Sequence, residues 1–217
     1  MKSKAGRAAV IGVVFVGLVG CGAGSVGSQG TEQKEGAASS AAGSAPAQER
    51  LSSEYLQSRW WTWAASEPEG TNPVADQDGR SCGRNQARDV WFLAGSFGGQ
   101  VKRSCKVPSG VPLAFPLVNL VGEPSDCEAF MDRAKGTAVL DGKEFDPEEH
   151  RGAAISVRAA VDNPVTQSAG TFTTTGCGLW VQMEPLEPGQ HTLKIRGESA
   201  GFSVGVDYSV SVEDGSK

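Results

Sequence analysis

The sequence predicts a mainly β protein: an antiparallel β-sandwich, jelly-roll or Ig-like, with a Trp-rich N-terminal helix and one further short helix. Three observations predict it. Val204, Val206, Tyr208, Val210 and Val212 alternate with Gly205, Asp207, Ser209 and Ser211, the period of two of a strand with one buried face. His191, Leu193 and Ile195 alternate in the same way just before it, with a turn over Glu198–Gly201. Upstream, short apolar runs recur between Gly- and Pro-rich breaks, and only two stretches read as helices.

The elements follow in order. Leu51 to Ala65 reads as a helix, capped by Ser52 or Ser53 with Glu54 in its first turn. Leu56, Trp60, Trp63 and Ala64 share one face at spacings of three and four, and Pro68 ends the helix. Residues 66–87, rich in Gly, Pro, Asp and Asn, read as loop. Asp89 to Ala94 is a strand, Gly95 to Gln100 a hairpin connection with three glycines, and Val101 to Val107 the return strand. Val111 to Val121 is a further strand whose Pro112 and Pro116 demand an edge or a bulge. Ser125 with Glu128 fits a capping box for a short helix over Cys127–Lys135, stopped by Gly136. Thr137 to Phe145 reads as a hairpin around Asp141-Gly142.

Residues 50–217 form one domain on this reading, and two segments precede it. Residues 1–20 have a basic start (Lys2, Lys4, Arg7), a short apolar stretch and small residues before Cys21, the pattern of a secretory signal. The apolar stretch, Ala8 to Gly20, would rise only about 20 Å as a helix against a bilayer core of about 30 Å. Residues 21–49 carry Gly, Ala, Ser, Gln and Glu and no aromatic. They read as a disordered tether, with an end-to-end distance of about 30 Å. Removal of residues 1–20 moves the formal charge from −5 to −8, so neither anionic lipid nor nucleic acid is a partner by charge.

Cys82, Cys105, Cys127 and Cys177 make an even set in an exported domain, which predicts two disulfides. Three pairings are open to four cysteines. Cys82–Cys105 with Cys127–Cys177 is favoured, because the first pair brackets a compact strand-and-turn region. Zinc is disfavoured, since no C-x-x-C and no nearby His pair occurs. No cofactor is expected.

Several further residues carry candidate chemistry. Gly201-Phe202-Ser203-Val204-Gly205 matches G-x-S-x-G, but its serine enters a strand and no His lies downstream. Ala94-Gly95-Ser96-Phe97-Gly98 is a looser variant, with His150 and His191 downstream but a strand following it. His150 sits among charges and reads as solvated, whereas His191 reads as a turn or edge hydrogen-bonding residue. Asp76-Gln77-Asp78-Gly79 resembles part of a calcium loop but lacks further acids. Glu123, Asp126, Glu128 and Asp132 read as a solvated helix face. Among the tryptophans, Trp60 and Trp63 belong to the core. Trp61, about 100° around the helix from Trp60, is the candidate exposed ring. Trp61, Trp91 and Trp180 are therefore the candidate ligand-binding residues.

Two resemblances add to this. Leu18-Val19-Gly20-Cys21 resembles the lipobox of bacterial lipoproteins. That implies cleavage before Cys21, a lipid on its sulfur, and an extracytoplasmic domain anchored to the bacterial membrane through Cys21. Arg59-Trp60-Trp61-Thr62-Trp63, Val90 to Gly95, Arg103 to Pro108, Phe115 to Asn119 and Leu186 to Thr192 together resemble a group of exported bacterial domains over most of residues 55–212. The resemblance implies a β-sandwich with a Trp-rich helix near its start, and no particular reaction or ligand. Where that group has an acidic residue before a glycine, this chain has Cys177-Gly178, which favours a disulfide there over a shared carboxylate. The functional expectation is a non-catalytic binding module for envelope polysaccharide or an exported protein. The alternatives are a hydrolase of envelope carbohydrate and a purely structural surface lipoprotein.

Overall fold

The computed structural model describes residues 50–166 and 168–213. The expected signal (1–20), the tether (21–49) and the lipidation residue Cys21 lie outside the described residues. In chain order the elements are α1 (Ser53–Ala64), β1 (Trp91–Phe92), β2 (Gly99–Pro108), β3 (Leu113–Gly122) and α2 (Pro124–Met131). β4 (Lys135–Leu140), β5 (Lys143–Phe145), β6 (Glu148–Ala159), β7 (Gly170–Met183), β8 (Gly189–Ser199) and β9 (Phe202–Glu213) follow. A four-stranded sheet has the order β1-β3-β7-β6, and a five-stranded sheet the order β2-β9-β8-β4-β5.

The two sheets enclose a core of Leu113, Phe115 and Leu117 from the first and Leu193, Ile195 and Val206 from the second. A second core lies between α1 and the outer face of the four-stranded sheet, where Leu56, Trp60 and Trp63 meet Ile155, Val157 and Trp180. The architecture is thus mainly β and sandwich-like, with a helix laid over one sheet. The expectation of a purely antiparallel fold is corrected: β1 runs parallel to β3, and β2 parallel to β9. The reason is that Gly95–Gln100 is no hairpin. It carries the chain from one sheet to the other, so β1 and β2 never pair and each finds a later strand.

Local expectations meet mixed outcomes. Ser52 caps α1, its hydroxyl accepting the Tyr55 N–H at 3.3 Å. The proline-bearing strand bulges between Pro116 and Val118, so Leu117 and Val118 both face the inter-sheet core. α2 starts earlier than expected, because Glu123 precedes Pro124 at the first helical position and the Asp126 carboxylate accepts the Glu123 N–H at 3.0 Å. The β4–β5 hairpin turns at Asp141 and Gly142, with φ of 50° and 84°, and β8–β9 turns at Ala200 and Gly201, with φ of 50° and 87°. Two successive positive φ values match the twist of tight hairpins.

Cys82–Cys105 and Cys127–Cys177 are the two disulfides, and they mark an oxidising, extracytoplasmic compartment. Among the described residues, no helix is long and apolar enough to cross a membrane.

Candidate functional site

The tryptophans are placed by two elements. α1 lays Trp60 edge-on against Trp180 of β7, with ring centroids 5.5 Å apart, and against Trp61 at 5.1 Å. Trp60 and Trp63 donate their indole N–H groups to the Leu93 and Arg84 carbonyls at 3.0 and 2.9 Å, as core residues should. Trp61 was expected to be exposed and is not: it is 7% exposed and joins the cluster beneath the helix. Trp180 is fully buried, because β7 is interior to its sheet and α1 covers it. Trp91 is half-buried at the edge strand β1. The indole N–H groups of Trp61, Trp91 and Trp180 are buried and find no acceptor among the described residues. Neither Trp61 nor Trp180 presents a ring face on which a sugar can stack.

The two histidines separate. His191 Nδ1 lies 2.7 Å from Asp141 Oδ2 and its Nε2 lies 2.8 Å from the Glu187 carbonyl. Both acceptors favour the doubly protonated ring, so the His191 pKa is raised above 6.5. Asp141 is held below the usual carboxylate range, first by the Thr192 N–H and then by His191. His150, expected to be solvated, is instead buried and stacks on Trp180 at 6.3 Å and 22°. A bulge between His150 and Ala153 turns the ring inward, and burial lowers its pKa.

The two shifts act oppositely on stability. The His191 contribution is complete below the unfolded value and is lost as pH rises through the raised folded value. The buried His150 costs stability as pH falls below the unfolded value through its depressed one. With only two histidines in the chain, proton NMR of the imidazole signals reads both. One resonance is expected to titrate above 6.5 and to move down in Asp141→Asn, the other below 6.5. Coincident titrations would overturn both placements.

The remaining candidate motifs are structural. Asp76 accepts the N–H groups of Asp78, Gly79 and Ser81 at 3.1, 3.1 and 2.7 Å, and Asp78 pairs with Arg80. Those carboxylates shape the loop, and among the described residues no three metal-ligating side chains converge. Ser96 donates to the Gly99 carbonyl at 3.3 Å, and neither histidine reaches it. Ser203 sits within β9, opposite Glu198. Glu123, Asp126, Glu128 and Asp132 are all exposed.

Two of the concavities among the described residues lie beside the elements named above. A depression of about 720 Å³ lies beside α1, and most of its polar groups, the exposed Arg158 guanidinium excepted, are spent on the fold. Arg59 binds Asp89 through both guanidinium nitrogens at 2.9 and 2.5 Å, Asn85 donates to Ser66 and Glu67, and Gln86 bridges the Cys82 and Phe92 backbones.

The second is a cavity of about 530 Å³ where β3 begins, β7 ends and the β4–β5 hairpin folds over. Leu113, Leu140, Phe145, Met183, Pro185 and Leu186 line it with carbon. Most of its polar groups are already engaged; the exception is Glu184, whose exposed carboxylate has no partner among the described residues. Arg50 pairs with Glu148 and Asp89 with Arg59. The Gln182 amide accepts the Leu51 N–H at 2.9 Å and donates to the Leu51 carbonyl at 3.1 Å. The Pro112 and Ala114 carbonyls accept the Trp91 and Leu93 N–H groups at 2.8 and 3.1 Å. Such a seat binds by exclusion of water from carbon. Its walls come from residues near positions 50, 90, 113, 140 and 185, which share no local sequence pattern; prolines adjoin only the stretches at 113 and 185.

No family model, curated protein or solved structure matches this chain.

Proposed function

We propose that this chain is an exported lipoprotein, anchored to the bacterial membrane through Cys21, whose β-domain is a non-catalytic binding module seated on the end cavity. One observation carries the reading: the cavity is walled by carbon, Arg50, Asp89 and Gln182 beside it already have partners, and Glu184 is exposed to water. The ligand therefore presents an apolar body. A glycan finds no stacking platform in Trp61 or Trp180, which moves the reading away from envelope polysaccharide.

A glycosidase needs one carboxyl held protonated by its surroundings. The carboxylates that shift here, Glu67, Asp78, Asp89 and Asp141, all shift downward, which supports binding over hydrolysis. An exported protein is the second reading, favoured by Phe97 and Phe202. They stand 52% and 40% exposed at neighbouring turns of the five-stranded sheet.

The test uses the full chain carrying Cys21→Ser, titrated with the apolar dye N-phenyl-1-naphthylamine. Saturable binding at one site is expected. Leu186→Glu, which sets a charge in the wall, is expected to weaken it by at least about tenfold, the cost of an unpaired charge against carbon. Unchanged affinity would overturn the assignment of the cavity. Cell-wall glycans are expected to leave the tryptophan emission of the same protein unchanged. Mass spectrometry of the natural product is expected to find a diacylglycerol thioether on Cys21, and an unmodified sulfur would remove the anchor.

A further inference from the structure

We infer that the end cavity takes one unbranched acyl chain of a membrane phospholipid; this rests on the cavity being the binding seat. The walls select the class of ligand. A peptide segment brings N–H and C=O groups that need partners when buried. The backbone acceptors at this end, Pro112 and Ala114, are committed to β1, and Gln182 is committed to Leu51. An acyl chain asks for no hydrogen bond. It fills a carbon-lined space of about 530 Å³ and leaves its headgroup in water.

The path of the chain selects the source. Arg50 and Leu51, the first described residues, are themselves part of the cavity lining. The segment between Cys21 and Arg50 has 28 residues, so even at full extension it reaches no more than about 100 Å. A lipid anchor on Cys21 therefore keeps the cavity mouth within reach of the bilayer, the densest reservoir of acyl chains available to it. Charged groups at the rim, Arg50 with Glu148, Asp89 with Arg59 and the exposed Glu184, keep the mouth wet.

The signature of an acyl seat is its response to chain length. Each methylene moved from water to carbon contributes about 0.8 kcal/mol, a factor of about four in affinity. Saturated lysophosphatidylglycerols of increasing length, kept below micelle formation, are expected to displace N-phenyl-1-naphthylamine from the Cys21→Ser chain. Affinity should rise about fourfold per methylene and then level off once the cavity is full. Methyl-branched chains of equal carbon number are expected to bind at least about tenfold more weakly, since a packed wall does not admit the branch.

A flat response to length, or indifference to branching, overturns the acyl assignment while dye binding leaves the cavity itself standing. Loss of dye binding in the unsubstituted cavity overturns both. The source is read with the natural lipidated chain on phosphatidylglycerol–phosphatidylethanolamine vesicles containing a phospholipid with a photoreactive acyl terminus. Crosslinks are expected on the peptides bearing Leu113, Phe145, Met183 or Leu186, and to be lost in both Leu186→Glu and Phe145→Ser. Crosslinks confined to residues 21–49, or capture of free fatty acid without phospholipid, overturn the membrane source.

Discussion

Replacing Arg103 with methionine is expected to cost the domain about 3 to 5 kcal/mol, a large share of the stability of an ordinary domain. Arg103 is 2% exposed and forms no ion pair among the described residues. Its guanidinium donates to the carbonyls of Asp76, Ala94, Gly95 and Val74 at 2.8, 3.0, 2.8 and 2.9 Å, and to the Tyr208 hydroxyl at 3.0 Å. Methionine would remove the desolvation cost of a buried cation, which favours the variant. It would also leave the Asp76, Gly95 and Val74 carbonyls without donors, at about 1 to 3 kcal/mol each while they stay buried, whereas the Ala94 carbonyl keeps the Tyr208 hydroxyl at 2.8 Å. The second effect wins because backbone acceptors cannot be mutated away.

Lysine should fare little better, since one ammonium cannot serve acceptors on two sides of a planar fork. Urea unfolding measures both variants. A loss below about 1 kcal/mol would show that the carbonyls find water or other partners. The consequence is topological as well. Ser104 donates its N–H to the Asp78 carbonyl at 2.9 Å and Cys105 bonds to Cys82. Three successive residues of β2 thus hold the 66–87 loop along the open edge of the five-stranded sheet. A covered edge cannot template pairing with another chain, so aggregation on unfolding is expected to rise in step with the lost stability.

Removing Cys127–Cys177 by a double serine substitution is expected to cost about 4 kcal/mol by loop-closure entropy, against about 3 kcal/mol for Cys82–Cys105. The bridges close sequence separations of 50 and 23 residues. Cys127 and Cys177 are both fully buried, and their bond joins α2 to β7, so serine there also strands hydroxyls in the core and widens the difference. Cys82–Cys105 closes a loop that Arg103 and Ser104 still hold, which narrows its own loss. Denaturant midpoints of the two double variants, taken with equal slopes, give the comparison. A larger loss from Cys82–Cys105 would mean that the 66–87 loop, and not α2, is the weaker attachment.

How legible each part was depends on the range of the interaction that decides it. β8 and β9 could be read because alternation over ten residues is a local signal. So could the turns at Asp141-Gly142 and within Glu198–Gly201, where the residue type tolerates positive φ. α1 was legible in its face and its cap. β6 alternates only beyond its bulge, over Ala153–Ala159, and glycines interrupt β7; the tight inward turn of His150 follows from the bulge. Arg103 had a signal that went unread: it stands in register with Val101, Cys105 and Val107 on the inner face of β2, where a charge has to be explained.

By itself, the sequence determined the strand-rich class, the helix with its tryptophan face and the two hairpin turns. Each of these rests on residues near one another in the chain, whereas the favoured cysteine pairing was one of three until the fold brought Cys82 to Cys105 and Cys127 to Cys177. The tertiary structure alone decided that β1 and β2 part company, that Trp61 is buried on α1 and Trp180 beneath it, and that five distant stretches meet to form one carbon-walled cavity. Burial and strand neighbourhood are set by which surfaces come together, and that depends on pairings between residues far apart, to which no local period is sensitive.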